Sequence, residues 1–203
     1  MTPEESHRDA AGAARFRGLP DGELVRRCQG GEGQAFNELV VRHQDKIYNL
    51  LCRFCGNAED AGDVSQRTFI NAFRKIAEFK GDSAFSTWIY RIAFNQAVSF
   101  RREQKHRPVS LTQKEEEPLH EPADERAPEE GLESDETRRK VQQALALLDE
   151  ADRRVILLKD IQGCSYDEIA DALRIPKGTV RSRLHRARLE LKAKLKSFIG
   201  TLQ

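Results

Sequence analysis

Cysteine is scarce in this 203-residue chain, and the four present, Cys28, Cys52, Cys55 and Cys164, are too scattered to staple a fold. Cys52-Arg-Phe-Cys55 has the spacing used by metal and redox pairs, but neither a second pair nor a histidine cluster supplies the missing ligands. The pair is read as structural thiols, with no metal and no cofactor. His7, His43, His106, His120 and His185 are dispersed, and no nucleophile, base and orienting acid assemble around any of them. A protein without catalytic residues, not an enzyme, is expected. Long apolar runs are missing too: nothing approaches the roughly 20 residues that span a bilayer, and residues 1 to 18 have no apolar centre of a signal peptide. The expectation is a cytoplasmic protein without membrane insertion.

Net charge is also nearly absent, at +1, yet that average conceals two opposite blocks. Between Glu115 and Glu136 eleven acids face one arginine, whereas from Arg174 to Lys196 nine Lys or Arg face one acid, Glu190. The acidic block carries Pro118, Pro122 and Pro128 and shows no helical periodicity, so it cannot bury enough apolar surface to offset its chain entropy. With 38% apolar residues the chain can fill modest cores only. The fold expected is all-α: a mobile tail over 1–20, a helical domain over 21–103, an acidic flexible linker over 104–133, and a second helical domain over 134–203.

The last forty residues or so are the most informative. Ser165 followed by Glu168 forms a capping box, which predicts a helix start. Ile169, Ala170 and Leu173 share one face of that helix, and Pro176 stops it near Arg174. A second stripe follows at Val180, Leu184, Ala187 and Leu191, with Gly178, Ser182, His185 and Leu189 pointing the other way. Two short helices joined by a tight turn are a helix-turn-helix, and the basic block marks a phosphate backbone as its partner. The second helix of such a motif meets base edges with its N-terminal half. Arg181, Ser182, His185 and Arg186 are the candidate readers, because an arginine donates twice to guanine O6 and N7. Ahead of them, stripes at Val141, Ala144, Leu145 and Leu148 and at Val155, Ile156, Leu158 and Ile161, separated by a turn at Asp149 to Asp152, complete a four-helix domain.

The N-terminal domain reads as a short helix capped by Asp21 and ended at Gly30-Gly31, then a long amphipathic helix from Gln34 to Gly56. Asn57 or Asp60 starts the next, which carries Val64, Thr68, Phe69, Ala72, Phe73 and Ile76 on one face and Glu59, Asp60, Asp63 and Gln66 on the other. Gly81 then breaks the pattern, and Ser83 or Ser86 caps a helix holding Trp88, Ile89, Ile92, Ala93 and Val98. Aromatics interleaved with Lys80, Arg91 and Arg101 suit a single strand, since each base offers a π-face and each phosphate needs a cation. Trp88, Phe69 and Phe73 are expected in the core, while Phe79 and Phe85 stand open between core and strand.

Three stretches then carry a family likeness: Asn57-Ala-Glu-Asp-Ala-Gly-Asp-Val-Ser-Gln-Arg-Thr-Phe69, Phe79-Lys-Gly-Asp-Ser-Ala-Phe-Ser-Thr-Trp-Ile-Tyr-Arg-Ile-Ala-Phe-Asn95, and Gly178-Thr-Val-Arg-Ser-Arg-Leu-His-Arg-Ala-Arg188. In order and spacing they resemble the bacterial extracytoplasmic-function sigma factors of the RNA polymerase sigma-70 family. The resemblance implies that the N-terminal domain docks on core RNA polymerase through Asp60, Asp63, Gln66 and Phe69. It implies that the loop with Phe79, Lys80, Asp82, Ser83 and Phe85, together with Asn95 and Ser99, captures an unstacked base of the promoter minus-10 element. It also implies that Lys177, Thr179, Arg181, Ser182, His185 and Arg186 meet the minus-35 duplex, that the acidic linker threads the RNA channel of the polymerase, and that an anti-sigma factor restrains a chain that is a monomer when free. Two other readings stand beside it. A helix-turn-helix repressor or response-regulator output domain would leave residues 57 to 95 unexplained, and an adaptor would use the basic helix to bind acidic protein.

Overall fold

The computed structural model describes residues 15–106 and 128–200, with no strand among them. The expected tail over residues 1–14 and the linker over residues 107–127 lie outside the described residues. Residues 15–20 are not a tail: Phe16 is buried, and the Leu19 carbonyl accepts from Arg42 Nη1. Four helices make the N-terminal unit: α1 (Asp21–Gln29), α2 (Ala35–Cys55), α3 (Ala58–Arg74) and α4 (Phe85–His106), with a 3-10 turn at Ile76–Glu78. The C-terminal unit has α5 (Pro128–Ala146), α6 (Glu150–Ile156) running into a π-helical turn at Leu157–Ile161, then α7 (Tyr166–Leu173) and α8 (Lys177–Gly200). Helix α5 thus begins inside the range assigned to the linker.

Local chemistry sets most boundaries. Gly56 takes φ +95° and its N–H bonds the Cys52 carbonyl, which ends α2 at little conformational cost. Asn57 Oδ1 accepts from the Asp60 N–H at 2.7 Å and starts α3. The Asp21 expectation was wrong in role. Pro20 occupies the cap position, and the Asp21 carboxylate instead binds Arg42 Nη1 at 3.1 Å and His43 Nε2 at 2.7 Å, tying α1 to α2. Asp149, expected in a turn, caps α6 by accepting from the Ala151 N–H, and Asp152 lies inside that helix rather than in the turn. Helix α4 starts at Phe85, which puts Ser86 inside its first turn.

Buried side chains of both units form one contiguous core, from Phe16 and Leu24 through Phe54 and Phe94 to Leu157, Leu158 and Val180. Arg153 of α6 crosses between units: its guanidinium donates to the Phe54 carbonyl of α2 and to those of Ala146 and Leu148. Gln142 of α5 donates to the Arg53 carbonyl at 3.1 Å, and the Tyr90 hydroxyl meets Gln162 at 3.0 Å. Phe73, expected in the core, is 46% exposed with its ring against Phe36.

Candidate nucleic-acid interface

The capping box forms as read: Ser165 Oγ accepts from the Glu168 N–H at 3.2 Å, and Glu168 Oε2 accepts from the Ser165 N–H at 2.7 Å. Helix α7 ends where Arg174 adopts φ +53°, the one non-glycine left-handed residue among the described residues. The chain then re-enters helix behind Pro176, whose carbonyl accepts from the Val180 N–H. Val180, Leu184 and Ala187 are buried, which fixes the rotation of α8 about its axis. Arg181, Ser182 and His185 are exposed on the opposite side, as is Lys177, while Thr179 is half-buried.

Two flanking arginines are engaged in ion pairs. Arg186 donates from Nε and Nη2 to the two carboxylate oxygens of Asp152 in α6, at 2.6 and 2.7 Å. On the other flank Arg188 Nε donates to Asp160 Oδ2 at 3.1 Å. Helix α8 thus carries an ion pair along each edge, with Arg181, Ser182 and His185 exposed between them. Lys177 Nζ pairs with Asp167 at 2.7 Å, and the Arg181 guanidinium lies over the Tyr166 ring at 5.8 Å. Both contacts tie the start of α8 to α7. The Asp152 and Asp160 partners were invisible in the sequence, where nothing pairs residues 34 and 28 positions apart.

In the N-terminal unit, Phe85 is buried, with its ring on His43 at 5.2 Å and on Trp88 at 5.7 Å. That removes it from the group able to stack on a base: a ring packed on two neighbours has no free face. Phe79 is partly buried and meets Trp88 at 5.1 Å. Lys80 and Asp82 are exposed, Ser83 is half-buried, and Asn95 and Ser99 are exposed one turn apart on α4. The loop is shaped from behind by Gln29, whose Nε2 donates to the carbonyls of Ile76 and Phe79 at 2.9 and 2.8 Å. No local pattern around Gln29 points to that anchor.

The acidic face of α3 divides in the same way. Asp63 and Gln66 are exposed. Asp60 is half-buried and occupied, accepting from Asn57 Nδ2 at 2.9 Å and from Gln104 Nε2 at 2.8 Å. Phe69 is buried at 9% exposure and lines a shallow groove with Val40, Tyr48 and Ile70.

The loop that precedes α4 and the helix-turn-helix face each other. Lys80, Ser83, Trp88 and Arg91 line one wall of a cleft whose other wall is Asp171, Arg174 and Pro176. Burial, and then the neighbouring Arg174 charge, push the Arg91 guanidinium below its ordinary range. Burial raises the Cys55 thiol to about 12 and the Cys164 thiol to about 11, which favours the protonated form of both at neutral pH.

Residues 39–107 match the family model of Sigma-70 region 2, and residues 138–191 match that of Sigma-70, region 4. The chain is 40% identical over 173 residues to the RNA polymerase sigma-H factor of Pseudomonas aeruginosa, covering 83% of this chain and 90% of that one. It is 40% identical over 186 residues to the ECF RNA polymerase sigma-E factor of Escherichia coli K12, covering 89% and 97%. Among solved structures, CnrH in complex with the cytosolic domain of CnrY superposes with a TM-score of 0.64 at 28% identity, over 87% of this chain and 97% of that one. The sigma factor RpoE bound to the anti-sigma factor NepR from Bartonella quintana shares the fold, with a TM-score of 0.63 at 23% identity over 79% and 96%.

Proposed function

The chain belongs to the extracytoplasmic-function sigma factors of the sigma-70 family, which direct core RNA polymerase to promoters, and we propose how its surfaces divide that work. The exposed face of α3 at Asp63 and Gln66, with Asp60 and Phe69 beside it, docks on core polymerase. Lys80, Asp82 and Ser83 in the loop, with Phe79 behind them and Asn95 and Ser99 on α4, take the unstacked minus-10 base, whose extrusion costs a few kcal/mol. Phe85 supports that loop from the core and contacts no base. On α8, Arg181, Ser182, His185 and Arg186 read the minus-35 duplex, while Lys177 and Thr179 position the helix on phosphates.

The protein itself performs no chemistry. It acts in the cytoplasm as a monomer until it meets polymerase, and an anti-sigma factor restrains it, as the structural relatives captured with CnrY and NepR suggest by analogy. The observation that carries the reading is the rotation of α8: three buried residues and two flanking ion pairs leave Arg181, Ser182 and His185 as its outward face.

Core affinity tests the docking assignment. Asp63→Arg and Gln66→Ala are each expected to weaken binding to core polymerase at least severalfold with unchanged helicity, because both side chains are exposed. Unchanged affinity in both variants would move the docking site elsewhere.

A further inference from the structure

We propose that Asp152, which lies outside the helix-turn-helix, sets base choice at one minus-35 position by holding Arg186 in its reading geometry. The proposal rests on the assignment of α8 as the duplex reader. The Asp152 carboxylate is 1% exposed, and Arg186 occupies both of its oxygens through Nε and Nη2. The Arg186 side chain nevertheless remains 64% exposed. A guanidinium carries five N–H donors in one plane. Asp152 takes the side-on pair. The end-on pair, on Nη1 and the outer hydrogen of Nη2, lies in the same plane and points away from the carboxylate, and such a fork fits guanine O6 and N7.

Burial is what makes Asp152 a fixed support. With Arg186 in place the Asp152 carboxylate is 1% exposed and both of its oxygens are taken, so releasing Arg186 would break two charge-assisted hydrogen bonds at once. Arg188 makes the corresponding contact on the opposite flank, but Asp160 is 35% exposed and can be solvated when released. Arg186 is therefore the guanidinium whose plane is set before DNA arrives, so less rotamer freedom is lost on binding. Truncating Arg186 alone mixes two effects, since it removes a reader and strands Asp152.

The measurement is binding of the full chain, assembled with core polymerase, to promoter duplexes that each carry one substitution in the minus-35 element. Arg186→Ala is expected to lose discrimination at one position. Asp152→Asn, which keeps the shape and loses the charge, is expected to lose about tenfold in discrimination at that same position and to leave the ranking elsewhere unchanged. The double variant should lose no more there than Arg186→Ala does. Asp152→Glu, which keeps the charge but moves it by a methylene, should show the same selective loss and serves if Asp152→Asn does not fold. The proposal is overturned if Asp152→Asn, or Asp152→Glu in its place, keeps full discrimination, or if affinity falls evenly across the panel. If Arg186→Ala itself falls evenly, the base-reading assignment of Arg186 has failed, and the proposal fails with it. That outcome is distinct from one in which Arg186 reads its base without help from Asp152.

Discussion

The guanidinium of Arg153 in α6 donates at 3.0 Å to the carbonyl of Phe54 in the last turn of α2, across 99 residues of sequence. The last carbonyls of a helix have no partner within it and carry the negative end of the macrodipole. Here a buried cation from the C-terminal unit supplies one, with Arg101 Nη2 on the same carbonyl at 2.7 Å. Arg153 also closes its own α5–α6 turn through the Ala146 and Leu148 carbonyls. Arg153→Ala would leave these acceptors short of a donor, and is expected to lower stability by about 2 to 4 kcal/mol. Arg153→Lys should recover little, because one ammonium cannot reach three separated oxygens. Urea unfolding of both variants measures this, and a loss within about 0.5 kcal/mol would show that the contact is dispensable.

The cleft between the loop that precedes α4 and α7 leads to a second expectation. Elements about 25 base pairs apart span about 85 Å of duplex at 3.4 Å per base pair, yet Ser83 and Arg174 line opposite walls of one cleft. A chain that reads both elements has its units apart. Fluorophores at positions 78 and 171, on opposite walls, should transfer energy efficiently in the free protein and lose most of that transfer when core polymerase is added. Transfer that is unchanged by core would contradict this.

Alkaline pH should destabilise the fold. Burial lifts the Cys55 thiol from 9.0 to about 12, the Cys164 thiol from 9.0 to about 11 and the Tyr90 hydroxyl from 10.0 to about 12. The unfolded chain releases these protons first, so the folded state binds more protons between the two sets of values, and stability falls as pH rises. Denaturant midpoints should be flat with respect to these groups from pH 7 to about 8.5 and decline from about pH 9 towards pH 11. Cys55→Ala and Cys164→Ala should each flatten that decline. An unaltered decline in both variants would assign it to other groups.

What was legible in the sequence is local. Asn57, Gly56 and the Ser165–Glu168 box act within a few residues of themselves, so spacing alone located those helix ends. The stripe at Val180, Leu184 and Ala187 was legible for the same reason, and it gave the outward face of α8. Asp21 shows the limit. It has the chemistry of a cap, but Pro20 takes that position and long-range partners on α2 claim the carboxylate. Asp152, Arg153 and Gln29 were missed because their partners lie 34, 99 and about 50 residues away, and no periodicity encodes such pairings. Phe85 sat in a loop motif with the composition of a stacking site, and only packing against His43 and Trp88 shows it to be core.

Phe85 and Asn95 should therefore behave differently. Phe85→Ala removes a buried ring and is expected to cost about 3 to 5 kcal/mol of stability. Asn95→Ala alters an exposed side chain and should leave stability within about 0.5 kcal/mol, while slowing opening of the minus-10 region. A pre-melted promoter should rescue Asn95→Ala. No rescue, or an Asn95→Ala variant as unstable as Phe85→Ala, would remove Asn95 from the base-capturing group.

A chain that confers promoter choice on core polymerase through two elements read by two units must make initiation depend on both elements. The most direct test is transcription by purified core polymerase, with and without the full chain, on a promoter from its own genome and on versions with the minus-10 or minus-35 element scrambled. The result expected is a defined start site that needs the chain and is lost when either element is scrambled. Initiation that is independent of the chain, or repression without any new start site, would contradict the account and favour a helix-turn-helix repressor.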